Sequence, residues 1–281
     1  YLIDSNYRAF YFAYDQIDDV SNYEELRDLV ENIYTNEYLF KQLPKWTSAF
    51  VQDEALEILP LQRKFFNHYV RSSKVKLVVI ISDALRYEAA EELYEKLNRD
   101  AKCTAKIDAM MSVLPSVTSF GMAALLPHKS FEITDNYKVL LDGRTCEGTK
   151  QREQILQRAI PPSRCIQYDD LTGMKQANLR EIFTGMEVVY VYHNQVDARG
   201  DKANTENEVF KACDEAIEEI YTLIKRLSTN ANVQNFIVTA DHGFIYKRDK
   251  LNESDKISSL DIKQASINRR YILSDNAGQS K

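Results

Sequence analysis

The sequence predicts an α/β protein, with a mostly parallel sheet covered by helices on both faces and preceded by an N-terminal helical region. Three observations predict it. Val/Ile-rich runs of strand length stand at 76–82, 187–192 and 235–240. Segments with apolar residues three and four apart lie between them. Strands buried on both faces read as continuous apolar runs, and such runs alternating with helices mark a parallel sheet.

Residues 1–74 form the helical region and a linker that ends near Ser72-Ser73. Ser21-Asn22-Tyr23-Glu24 fits a capping box, and Leu26, Leu29, Val30, Ile33 and Tyr34 recur at helical spacing. Pro44 and Pro60 read as interruptions. From Val75 to Lys281 strands and helices alternate. Strand 76–82 leads into a helix with Leu85, Ala89, Leu93 and Leu97 four apart. Next come a strand at Lys102–Met110 and a short helix from Phe120 to Leu126. Weaker strands are expected near Lys138–Leu141 and Arg164–Gln167, and helices at 147–159 and 175–184. Strand 187–192 precedes a long helix from about Asn204 to Ser228. Strand 235–240 and a strand at Ile262–Leu273 close the chain.

At 281 residues the chain can bury a full core. Its net charge of −6 and pI near 5.4 argue against a surface that is wholly a nucleic-acid footprint. No apolar run approaches the ~20 residues needed to span a bilayer, and no secretory signal is visible. Cys103, Cys146, Cys165 and Cys213 lie far apart, without zinc-knuckle or disulfide-framework spacing. A reducing, cytoplasmic setting is the expectation. A start at Tyr1 and an end at Lys281, just past a strand, suggest an excerpt of a longer chain that is truncated at the C-terminus.

Each of the three strong strands runs into aspartate: Asp83, then Asp197 and Asp201, then Asp241-His242-Gly243. In an open α/β sheet ligands sit beyond the carboxyl ends of the strands. Carboxylates that converge there repel one another unless a cation joins them. Each residue alone has an ordinary explanation: Asp83 and Asp201 as helix N-caps, Asp241-His242-Gly243 as a turn. Leu114-Pro-Ser-Val-Thr-Ser-Phe-Gly-Met-Ala-Ala-Leu-Leu126 has two readings. It is a Ser/Thr-capped helix, or it presents a hydroxyl nucleophile at a helix start, activated by a metal. His68 reads as structural, His128 as a loop residue, and His193 as a neighbour of the site.

Taken together and in this order, the segments resemble the alkaline phosphatase superfamily, and within it the PglZ domain of BREX-type bacterial phage-defence proteins. The resemblance rests on Ser82-Asp-Ala-Leu-Arg-Tyr-Glu88, Leu114-Pro-Ser-Val-Thr-Ser119, His193-Asn-Gln-Val-Asp-Ala-Arg-Gly-Asp201 and Thr239-Ala-Asp-His-Gly243. It covers about residues 75 to 281, and implies an alkaline phosphatase-like core there. It also implies that Asp83, Thr118, Asp241 and His242 surround one metal, with Thr118 the nucleophile. Asp197 and Asp201 would hold a second. The superfamily usually has His where this chain has Asp201, and takes a further His from a later strand; no His follows His242. The extra carboxylate tilts preference among one or two divalent ions from Zn²⁺ toward Mn²⁺ or Mg²⁺.

The activity so implied is metal-dependent hydrolysis of a phosphoester by a phosphatase or phosphodiesterase. Nucleic acid or a nucleotide is the favoured substrate, and other phage-defence proteins are the expected partners. Arg86 and Arg199, inside the motifs, are candidates to clamp phosphate oxygens, with surface salt bridges as the ordinary alternative. Position 201 and the missing ligand favour a second reading, a non-catalytic interaction module of a defence complex. A phosphosugar or phosphoglycerate mutase relative ranks last.

Overall fold

The computed structural model describes residues 1–51, 59–200, 208–249, 265–267 and 271–274. The helical elements are α1 (Leu2–Tyr14), α2 (Glu24–Asn32), a π-helical stretch (Ile33–Leu39) and α3 (Phe40–Val51). The α/β part contains β1 (Leu77–Ser82), α4 (Tyr87–Arg99), α5 (Thr118–Ala124), β2 (Phe131–Ile133), β3 (Val139–Leu141), β4 (Arg144–Thr145), α6 (Thr149–Ala159) and β5 (Ser163–Gln167). It continues with α7 (Tyr168–Thr172), α8 (Gln176–Phe183), β6 (Val188–His193), α9 (Gln195–Gly200), α10 (Val209–Asn230), β7 (Asn235–Thr239), β8 (Ala265–Ile267) and β9 (Ile272–Ser274).

The main sheet runs β5-β6-β1-β7 and is parallel throughout. Every residue of β1 and β6 is buried, which is why both read as unbroken apolar runs. Leu77, Val79 and Ile81 face a core built with Phe65, Phe120, Leu125 and Tyr190. Val78 and Ile80 face the opposite layer, with Leu93, Phe183, Ile220, Ile224 and Leu227. Burying one such aliphatic side chain contributes roughly 1.5–3 kcal/mol. Helix α10 serves two layers. Its C-terminal half covers the sheet, while Val209, Phe210 and Cys213 join Tyr7, Tyr11, Tyr34 and Tyr246 in a third, aromatic cluster under the N-terminal helices. Buried Arg8 of α1 pins that layer, pairing with Glu88 and Glu92 of α4 and Asp214 of α10.

The α/β reading holds, and several element assignments change. Residues 102–110 form no strand. Both backbone groups of Ala105 bond to the side chain of Asn98 instead, and only Met111 bridges, in parallel, to Leu61. The strand at 139–141 belongs to a separate antiparallel sheet, β2-β3-β4. The described part of the expected last strand is a β8/β9 antiparallel pair. No side chain caps α2, because Ser21–Tyr23 form a 3₁₀ turn ahead of it. Pro44 lies inside α3. Phe65, Phe66 and Val70, within the expected linker-proximal region, pack into the core of the sheet.

Candidate metal centre

Parallel register decides where the candidate residues fall. Ser82 lies opposite His193, and Ile81 opposite both Tyr192 and Thr239. The three strands therefore stop at one level, and the residues just beyond them share one edge of the sheet. Asp83 comes directly after β1. Asp197 is the third residue of α9, a short helix not foreseen from sequence. Asp241 and His242 come after β7, beyond Ala240. Thr118 arrives from elsewhere, at the start of α5, which packs over the same edge.

At that edge Asp83, Asp197 and His242 each offer a ligand atom, and those atoms lie within 4.8 Å of one another. Nε2 of His242 is 3.3 Å from Asp83 Oδ1, 3.6 Å from Asp241 Oδ2 and 3.1 Å from Thr118 Oγ1. Thr118 Oγ1 also lies 3.5 Å from Asp83 Oδ1. Thr118, Asp83, Asp241 and His242 are thus gathered round one point, and Asp197, expected with Asp201 at a second metal, borders it. Asp201 falls outside the described residues.

Asp241 is fully buried, and its side chain divides its work. Oδ1 accepts the Ala84 N–H at 3.1 Å, while Oδ2 has no hydrogen-bond partner and is sealed from solvent. Ala84 takes φ 61° to aim that N–H, a left-handed conformation that costs a non-glycine residue energy and is characteristic of functional turns. Burial and then the nearby Asp83 carboxylate raise the Asp241 pKa. Burial opposes charge on His242, but the hydrogen bond to Asp83 and the fields of Asp241 and Asp83 outweigh it and raise its pKa. The cluster therefore favours protons wherever no other cation neutralises it. A divalent ion fits the donor set: two buried carboxylates and a half-buried one, an imidazole, and one carboxylate oxygen without a hydrogen bond.

Both arginines are engaged in ion pairs, the alternative that stood beside phosphate clamping. Arg86 bonds the Phe244 carbonyl, pairs with Asp4 of α1 at 2.8 Å and lies over the Tyr246 ring at 4.0 Å. It ties the N-terminal helices to the segment after His242. Arg199 pairs with Glu215 of α10. His193 bonds Ser82 Oγ at 2.9 Å and Glu219 at 2.8 Å, while its carbonyl accepts the Asp83 N–H. It braces the strand ends rather than facing the cluster. His128 bonds the carbonyl of Leu126, and His68 lies exposed against Tyr69.

Two residues of the site escaped the sequence reading. Gly121 of α5 packs so closely on Asp241 that a Cβ there would stand 2.1 Å from its carbonyl oxygen; a lone glycine inside a helical pattern was the available signal. Gln62 is buried and bonds the Ala240 and Asp241 carbonyls; nothing in the sequence marked it. Beside the cluster lies a cavity of about 460 Å³, bordered by Asp197 and His242 and walled by Leu114, Val117, Phe244 and Tyr271.

The family model described as BREX system PglZ alkaline phosphatase-like domain matches residues 61–281. The chain is 42% identical, over 98% of its length, to an alkaline phosphatase-like protein PglZ of Bacillus cereus (strain H3081.97), of which it covers 33%. It is 35% identical, over 89% of its length, to an alkaline phosphatase-like protein BrxZ of Escherichia coli O9:H4 (strain HS), of which it covers 30%. The chain spans about a third of the length of these curated relatives. Among the described residues, no helix is long and apolar enough to cross a membrane.

Proposed function

We infer the function from one premise: the chain belongs to the PglZ family, the alkaline phosphatase-like domain of the BREX system. On that premise the protein is a metal-dependent phosphoester hydrolase with Thr118 as its nucleophile, acting within a phage-defence system alongside other defence proteins. The observation that carries this reading is the Thr118 hydroxyl, 3.1 Å from His242 and 3.5 Å from Asp83, at the point where acids from three strand ends converge.

Asp83, Asp197 and His242 would hold the metal, with Asp241 Oδ2 as the further donor in reach. A bound divalent ion lowers the pKa of a hydroxyl and offsets the charge of a phosphoryl group. Thr118 Oγ1 bonds to phosphorus as its proton passes to solvent. The ester oxygen leaves with the bonding pair and is protonated by water. A water molecule then cleaves the phosphothreonine, restoring the hydroxyl and releasing the phosphate product. The apolar, partly aromatic cavity beside the cluster suits a substrate with a sizeable organic group next to the phosphate, and so supports a phosphodiester or nucleotide over inorganic polyphosphate.

A second reading, a non-catalytic module, draws on Arg86 and Arg199, both engaged in ion pairs within the fold. The deciding experiment measures phosphodiester turnover by the full-length protein with Mn²⁺, Mg²⁺ or Zn²⁺ added, beside its Thr118→Ala variant. Turnover that vanishes in the variant supports the enzyme. A protein that binds metal yet turns over nothing under all three ions supports the module.

A further inference from the structure

One buried side chain that bonds both to the end of β7 and to the segment before α5 lies outside all the sequence motifs. Gln62 is 1% exposed. Its Nε2 donates to the carbonyls of Ala240, at 3.1 Å, and Asp241, at 2.6 Å. Its Oε1 accepts the Val113 N–H at 3.1 Å and the Ser112 hydroxyl at 3.4 Å. The backbone repeats the link: the Gln62 N–H donates to the Met111 carbonyl, and the Met111 N–H to that of Pro60. One planar amide thus joins the end of β7, which carries Asp241 and His242, to the segment that leads from Val113 to Thr118.

The chemistry is specific to an amide. Both partners at one end are carbonyl acceptors and the Val113 N–H at the other is a donor, so these partners fix which atom is nitrogen. A glutamate of the same shape would set oxygen against two carbonyls. A methionine would fill the space and leave two carbonyls and one amide N–H without these partners, in an interior where unmade bonds are costly. Gly121 meets the same Asp241 carbonyl from α5. The backbone of Asp241 is therefore gripped from two sides, which leaves its carboxylate to Ala84 and the cluster.

We propose that Gln62 is a positioning residue that sets the Asp241–His242 pair against Thr118. The proposal rests on the metal-centre reading for its consequence but not for its geometry. Partners of metal ligands typically change affinity by about 10- to 100-fold when altered, so Gln62→Met should weaken Mn²⁺ binding by about tenfold or more. Gln62→Glu should weaken it at least as much.

The test uses the full-length protein in two arms. Calorimetry measures Mn²⁺ affinity. Hydrogen exchange on metal-free protein compares residues 111–120 and 239–244 with α10. The brace predicts faster exchange in the first two segments, unchanged exchange in α10, and the loss of affinity. Val70→Ala, in the core beneath the sheet, serves as control: it should lower the melting temperature without moving Mn²⁺ affinity. Folded Gln62→Met with unaltered exchange in both segments overturns the proposal, as does full Mn²⁺ affinity in both Gln62 variants. If the unaltered protein takes up no Mn²⁺, the metal reading fails by itself and the exchange arm alone decides for or against the brace.

Discussion

Gly121→Ala adds one methyl group at the tightest contact of the site. That carbon would stand 2.1 Å from the Asp241 carbonyl oxygen, 2.6 Å from its carbonyl carbon and 2.9 Å from its Cβ. Reaching the ordinary contact distance of 3.4 Å requires α5 and Asp241 to separate by about 1.3 Å. None of the atoms met lies at the free end of a flexible side chain, so a rotamer change cannot relieve the clash. Thr118 begins the same short helix, three residues earlier, and moves with it. A displacement of about 1 Å in a reacting group can cost roughly 10²-fold in rate. Overpacking costs roughly 1–3 kcal/mol in stability, and the better helix propensity of alanine returns up to ~1 kcal/mol. The net loss of stability should thus be about 1 kcal/mol, small beside the functional loss.

The assay pairs urea unfolding with turnover of an aryl phosphodiester and Mn²⁺ titration. The expected result is a folded protein with a modestly lowered midpoint and turnover reduced about 100-fold. Gly121→Ala that folds and keeps both full turnover and full Mn²⁺ affinity would refute the idea that the α5–Asp241 contact sets the site's geometry.

The same geometry bears on other substitutions and on pH. Thr118→Ala should reduce turnover on the order of 10³-fold or more, as loss of a nucleophile does, yet still bind Mn²⁺; turnover near that of the unaltered protein would exclude Thr118 as nucleophile. Asp83→Asn should abolish high-affinity Mn²⁺ binding, measured by calorimetry. Both Asp241 and His242 have raised pKa values in the fold, so these two groups hold more protons in the metal-free fold than in the unfolded chain. Their contribution to stability should therefore fall as pH climbs from the ordinary carboxyl value of 3.8 and, for the imidazole, from 6.5 through the raised values of the fold; saturating Mn²⁺ should flatten or reverse that fall in thermal melts between pH 6.5 and about 9, and a metal-free slope over that range left unchanged by both Asp241→Asn and His242→Gln would contradict the cluster. Arg8→Met removes the nearer of two guanidinium groups from Glu88, whose side chain is 1% exposed, and leaves it Arg86 at 3.9 Å and the Tyr246 hydroxyl. It should cost about 3–5 kcal/mol by urea unfolding, and a loss under about 1 kcal/mol would show that the N-terminal layer does not depend on it.

The sequence carried the parallel sheet because β1 and β6 are buried on both faces, and double burial writes itself as an uninterrupted Val/Ile run. It brought the candidate residues to one edge for a related reason, since parallel strands in register end together and place the next residues of each there. Where local chemistry competed with pattern, the sequence misled. Residues 102–110 look like a strand, but Asn98, in a different element, takes the backbone groups of Ala105 that a ladder would need. Arg86 sits inside a motif and looks available to a phosphate, yet Asp4 and the Tyr246 ring, from opposite ends of the chain, claim its guanidinium.

The supports of the site were harder to read than its candidate ligands for a physical reason. A ligand needs a particular functional group at a strand end, and both the group and the strand are local features of sequence. A support needs only to touch the right backbone atom. Gln62 acts on Asp241 across 179 residues, and Gly121 acts on it by lacking a side chain. Gln62 has no spacing that could announce it, and Gly121 shows only as a lone glycine inside a helical pattern. Both converge on the carbonyl of Asp241, a backbone group that nearly any residue at position 241 would present. The precision of a centre assembled from four distant segments is therefore lodged in contacts to main chain. Substitutions at Gln62 and Gly121 should accordingly alter the site while leaving every expected ligand in place.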